Sequence, residues 1–327
     1  MAMPRVFYAA LVAVVLGLAA LPASAARAQV LVPQAQGDMA FDHMRKATAA
    51  AERVTEILLQ TVGDPDYSSA RDANQLSAAI AGMRPGLAAG RSEIRQISAQ
   101  LDALPRISTA SDPVELRIVD RTVTDISAFS LRIEAFLGVL EDLGDALQAG
   151  DQQRSQRLAV SLMSGSVSVV EGQALMLRAR LPMMPSDSSA FAQVSGLACF
   201  YDGFAALQEG AFEIVPRSEA GVAMSAASAC MTGQIANGRE AVEREALAPM
   251  DAPVLERIRD ALTPVHRAMF EELKNGLAIL TEARASLLDG ASMESLLTNY
   301  GDRTTVFEQR FQTLVTQEVE TVARQGR

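Results

Sequence analysis

Tryptophan is absent from this 327-residue chain, histidine and cysteine occur twice each, and Lys46 and Lys274 are its only lysines. Each shortage excludes something. His43 and His266 are isolated in sequence and no HExxH pattern exists, so the most recognisable zinc-hydrolase arrangement is missing. No G-x-S-x-G elbow or phosphate-binding glycine loop occurs either, and "SLMSGSVS" and "ASACMTG" have no serine, histidine and acid in a credible order. The residues therefore predict no catalytic site, no resident metal and no cofactor, and the chain reads as a non-enzyme. Basic residues number 29 against 39 acidic ones. That balance lacks the positive surplus that phosphate backbones attract, so no nucleic-acid partner is expected.

Long apolar runs are also scarce beyond the N-terminus. There, Arg5 precedes "FYAALVAVVLGLAAL", which ends at Pro22 and the small-residue stretch "ASAARA". These are the three parts of a secretory signal peptide spanning residues 1–28, with cleavage after Ala28 or, almost equivalently, Ala25. The apolar run is shorter than the roughly 20 residues a spanning helix needs. Losing Arg5 and Arg27 moves the net charge from -10 to -12. The expected location is the bacterial periplasm, with release beyond the envelope as the alternative, and no stable transmembrane segment is expected after cleavage.

What is abundant is alanine, leucine, serine, glutamine, glutamate and arginine, a mixture that favours helices over sheets. The clearest period lies in 112–149, where Ile126, Phe129, Ile133, Phe136, Leu140, Leu143 and Leu147 recur at threes and fours. This near-heptad stripe predicts one buried face of a long helix in a left-handed bundle, with coiled-coil character. Asp112 is placed to cap it, with Pro113 in its first turn, Glu115 completing a capping box, and Gly150 at its end. Further helices are expected over about 35–62, 152–180, 188–209, with Ser186 or Asp187 as cap, and 217–247. Pro85 and Gly86 predict a break between 69–83 and 87–104, and Pro264 a kink or division in the helix that follows Pro253.

The result is an all-α, elongated antiparallel helical bundle, or two successive bundles. Its expected units are an N-terminal hairpin at 29–110, a first long hairpin at 111–187, a central disulfide-linked hairpin at 188–250 and a C-terminal hairpin at 251–327. Sliding the chain by 140 residues aligns Pro113, Val114, Arg117, Ile118 and Asp120 with Pro253, Val254, Arg257, Ile258 and Asp260. Gly150 then falls on Gly290, and ten identities occur over 113–151 without a gap. That pattern points to an internal duplication.

Cys199 and Cys230 lack the CxxC spacing of a redox or zinc pair, yet their midpoint falls in the turn "FEIVPRS". On an antiparallel hairpin they reach the same height, and an exported chain allows a disulfide to persist. Phe200, Tyr201 and Phe204 are expected to pack around the cross-link. Together with Phe212 and Met224 they form the best sequence candidate for a ligand pocket between helices. Met163, Met176, Met183 and Met184 offer thioethers to a soft metal, but methionine also fills irregular cores, which is the preferred reading. The leading functional expectation is an exported scaffold of the cell envelope that binds another protein or a second copy of itself. The alternative is a periplasmic sensor or carrier of an unidentified small molecule.

Overall fold

A computed structural model describes residues 34–62, 73–109, 111–178, 180–181, 184–250 and 252–325. The expected signal peptide, the loop "GDPDYSS", Met183 and the side chain of Glu115 lie outside the described residues.

Eight helices make up the described fold, and there is no strand among the described residues. They are α1 (Gln34–Val62), α2 (Ala73–Asp102), α3 (Val114–Gln148), α4 (Gln152–Arg178), α5 (Ser189–Ala211), α6 (Arg217–Leu247), α7 (Pro253–Leu288) and α8 (Met293–Gln325). Packing is largely between neighbours in the chain, giving an elongated array, although α1 rests more on α3 than on α2. The short connections leave little alternative, since helices joined by few residues pack as hairpins.

Two cores lie along this array, and α4 belongs to both. Leu162, Val169 and Met176, spaced by sevens, enter the core built by α1, α2 and α3 around Val54, Leu58, Ile80, Leu87 and Ile133. Val167, Val170, Ala174 and Leu177, on the other side of α4, join α5 to α8. The innermost member of the second core is α5, which is buried nearly all the way round. By length and composition α4 and α5 are apolar enough to cross a membrane, but the burial of most of each apolar stretch within the fold accounts equally for that composition.

The packing is close because glycines are spaced to receive larger side chains. Gly196, Gly203 and Gly210 recur every seven residues on α5 and lie against Leu273, Leu280 and Leu287 of α7, also seven apart. The same three glycines meet Gln234, Ala227 and Ala220 of α6. A Cβ on Gly203 would come within 2.6 Å of Leu280, so only the bare backbone admits the leucine there. On α4, Gly165 and Gly172 receive Phe136 and Phe129 in the same way.

Three local expectations are corrected. The break at Pro85 and Gly86 does not occur, because α2 is continuous from Ala73 to Asp102. An interior proline costs about 3 kcal/mol. Ile80 and Leu87, buried on either side of it, each contribute roughly 1.5–3 kcal/mol, while Pro85 itself faces outward. Of the two outcomes expected at Pro264, division does not occur: the residue lies within an undivided α7, on its exposed side. Asp112 does not cap α3; its Oδ2 instead accepts from the Thr109 N–H at 2.6 Å and the Thr109 hydroxyl at 2.7 Å. The cap position is occupied by Pro113, without a side-chain bond. The cap of α5 is neither Ser186 nor Asp187 but Ser188, whose hydroxyl accepts from the Phe191 N–H at 3.1 Å. Its register suits a hydroxyl that must reach an amide three residues on.

Gly150 and Gly290 do end their helices, with φ of +69° and +83°. At the first turn the Asp151 N–H donates to the Ala146 carbonyl, and at the second Ala291 donates to Ser286. Both are the six-to-one bond of a helix stop that favours glycine.

Candidate functional site

The central hairpin is covalently closed. Cys199 and Cys230 are disulfide-linked, their Cα atoms 6.1 Å apart, and they fall between the rungs formed by Gly196 with Gln234 and Gly203 with Ala227. Cys199 is buried, whereas Cys230 sits on the outer face of α6. Around the link, Phe200 lies 4.5 Å from Phe307 and 6.2 Å from Phe204, measured between ring centroids. Phe200, Tyr201, Phe204 and Met224 are fully enclosed by the second core, and Phe212 lies half-buried at its edge. Four of the five candidate pocket residues therefore fill the interior of the second core, and Phe212 lies at its edge.

One member of that set carries polar chemistry the sequence reading missed. The Tyr201 hydroxyl donates to Glu308 Oε1 at 2.9 Å, joining α5 to α8. Glu308 is 1% exposed, and its Oε2 has no hydrogen-bond partner among the described residues. Burial pushes the Glu308 carboxyl well above the usual range, and only part of that shift is offset by the tyrosine bond. Burial and the neighbouring carboxylate push the Tyr201 phenol upward too. The signal was present in the spacing: Thr304, Glu308, Phe311 and Val315 follow one another at fours and threes on the buried face of α8.

A pH dependence follows. Because the folded state holds the Glu308 proton to higher pH than the unfolded chain does, the contribution of this group to stability is greatest below the ordinary glutamate range and falls as pH rises through the window above it. Each pH unit inside that window costs about 1.4 kcal/mol. Glu308→Gln is expected to remove this slope. Thermal melts from pH 4 to 9 should show the variant above the parent at pH 8 and close to it near pH 4; parallel profiles would contradict the assignment.

A polar concavity lies elsewhere, at one end of the first core. It is a groove of about 610 Å³ between His43 on α1, the end of α2, loop residues 104–109 and the first turns of α3. Beneath the loop, Ile107, Leu116 and Val119 form a small apolar cluster with Ala40 and Met44. Asp120 holds the loop in place by accepting from the Ile107 N–H at 3.1 Å, the Ser108 N–H at 3.0 Å and the Ser108 hydroxyl at 2.6 Å. Arg106, Arg117 and Arg121 surround the opening, and Leu101, Leu104 and Val123 supply apolar wall.

The remaining candidates are structural in placement. His266 Nε2 lies 3.1 Å from Glu318 Oε1 across α7 and α8. Met176 is buried in the first core, and Met163 and Met184 are half-buried. Among the described residues no three metal-ligating side chains of histidine, cysteine, aspartate or glutamate converge. Arg180 is 2% exposed, and burial pulls its guanidinium down to about 10. Compared with known proteins, the chain matches no family model, no curated protein and no solved structure.

Proposed function

We propose that the chain is an exported helical scaffold of the cell envelope, engaging a protein partner or a second copy through its outer surface. The observation that carries this reading is the filled central hairpin. Phe200, Tyr201 and Phe204 are consumed by packing, so they offer recognition no surface, and the exterior is what we read as available for contact. That exterior is stiffened by arginine and carboxylate pairs between helices, among them Arg91 with Glu134 and Glu141, Arg53 with Glu93, Arg267 with Glu243, and Arg303 with Glu282. Scattered exposed apolar side chains, such as Phe41, Val222 and Leu247, are the contact points a partner would cover. A disulfide suits an oxidising compartment, which accords with the signal-peptide reading.

We also read the two long hairpins as a duplicated unit with coiled-coil-like spacing. Support comes from the 140-residue offset, which relates Gly150 to Gly290 and the bond from Asp151 to Ala146 to that from Ala291 to Ser286. A second functional reading, the small-molecule sensor or carrier, draws its support from the groove beside His43 and not from the central hairpin.

Two measurements test the proposal. Expressed with its first 28 residues in a bacterial host, the protein is expected in the periplasmic fraction beginning at Gln29 or Ala26. Native mass spectrometry of protein from its own envelope is expected to show a protein complex or a multiple of the chain mass. Cytoplasmic retention with an intact N-terminus would overturn export, and a bare monomer at every concentration would overturn the scaffold.

A further inference from the structure

We infer that the groove beside His43 is a binding site for a small organic oxyanion, a carboxylate or phosphate monoester carried on a short apolar body. The site is independent of the scaffold proposal, because it requires no protein partner.

The charge distribution is the first argument. Acidic residues outnumber basic ones in this chain, and most described arginines have found a carboxylate or a carbonyl. Arg106 and Arg117 have not: neither has a hydrogen bond or ion pair among the described residues, yet both face the same groove. Arg121, one turn after Arg117, is held only loosely, its Nε 3.6 Å from Asp125. A planar guanidinium presents paired donors that match the oxygens of a carboxylate or phosphate, and two from different segments form a clamp.

The acids at the rim do not compete for these arginines. Asp120 spends its oxygens on Ile107 and Ser108, and Asp102 Oδ1 accepts from the Ser127 hydroxyl at 2.7 Å. Asp120 fixes the loop and Asp102 ties the end of α2 to α3, which leaves Arg106 on a support that does not have to be ordered when a ligand arrives.

His43 is the second, independent argument. It is 4% exposed and forms part of the groove wall, but its ring has no hydrogen-bond partner among the described residues. A ring on the groove wall whose nitrogens have no protein partner among the described residues can offer one of them to a ligand oxygen. The third argument is shape. The groove volume falls within the roughly 300–1,000 Å³ of small-molecule sites, and Leu101, Leu104 and Val123 give an alkyl or aryl body apolar contact.

Isothermal titration calorimetry on the full mature protein tests this with three probes: octanoate, octyl phosphate and uncharged 1-octanol. At least one of the two anions is expected to bind saturably, at least tenfold more tightly than 1-octanol, and the tighter of the two identifies the oxyanion. Arg106→Gln combined with Arg117→Gln should weaken that binding at least tenfold. Both positions are exposed, so the melting temperature should stay unchanged, and Arg157→Gln with Arg310→Gln, off the groove, should leave binding as it was. His43→Gln, which keeps a polar group at the wall, should weaken binding less than the double arginine change. Absence of binding by both anions at millimolar concentration, or binding that survives the groove variant, would overturn the site. Neither result would bear on partner binding at the outer surface.

Discussion

Gly238→Ala is expected to destabilise the protein by about 2 kcal/mol, while Gly233→Ala, five residues earlier on the same helix, stabilises it by about 0.5–1 kcal/mol. In a helix interior, alanine is favoured over glycine by about 1 kcal/mol, and at Gly233 nothing within 4 Å opposes that gain. At Gly238 a new Cβ would lie 2.0 and 2.1 Å from two atoms of the Phe270 ring and 2.9 Å from the Ala192 Cβ. Phe270 is fully buried, so its ring cannot rotate into solvent to make room. Overpacking of this kind costs about 1–3 kcal/mol, sometimes more, and exceeds the propensity gain. Urea unfolding followed by helical circular dichroism should move the two midpoints in opposite directions with an unchanged slope. Equal shifts in one direction would mean that α6 and α7 separate freely at this point.

The second large effect is expected from the disulfide. Replacing Cys199 with alanine and Cys230 with serine should cost about 3–4 kcal/mol, the loop-closure entropy of a cross-link spanning 31 residues. Alanine removes a buried thiol without adding a polar group to the core beside Phe200, and serine suits the exposed end. A reducing agent should bring the parent protein to the stability of the variant and leave the variant itself unchanged. Parent and variant with the same urea midpoint under oxidising conditions would show that the link contributes nothing beyond the packing of α5 on α6.

Much of the fold was legible because its helices are long and their apolar faces regular. In α3, Ile126, Phe129, Ile133, Phe136, Leu140 and Leu143 form a stripe that no loop or strand would generate, and all six are buried. The match of Cys199 to Cys230 was legible for a related reason: hairpin geometry makes residues equidistant from a turn into neighbours. Local signals fared worse where tertiary packing overrode them. Pro85 reads as a breaker in isolation, but Ile80 and Leu87 hold the helix together from both sides. Asp112 reads as a cap, but Thr109 lies on the loop side and takes its carboxylate first.

The candidate sites were less legible because they depend on what side chains lack. That Phe200 and Phe204 fill a core and do not line an opening is decided by Phe307, more than a hundred residues away. Arg106 and Arg117 look ordinary in a chain rich in arginine, and only the three-dimensional arrangement reveals that no carboxylate among the described residues has reached them. Glu308 is the intermediate case. Its spacing with Phe311 and Val315 marks a buried position, but the phenol that meets it comes from α5.

The double role of α4 has a thermodynamic consequence. Its Leu162, Val169 and Met176 side supports one core and its Val167, Val170, Ala174 and Leu177 side the other. Melting this one helix would strip a wall from both at once, so neither half of the array can open fully at that seam without loosening its neighbour. The helix thereby makes two separate packing problems share one wall, which favours a single cooperative unfolding transition.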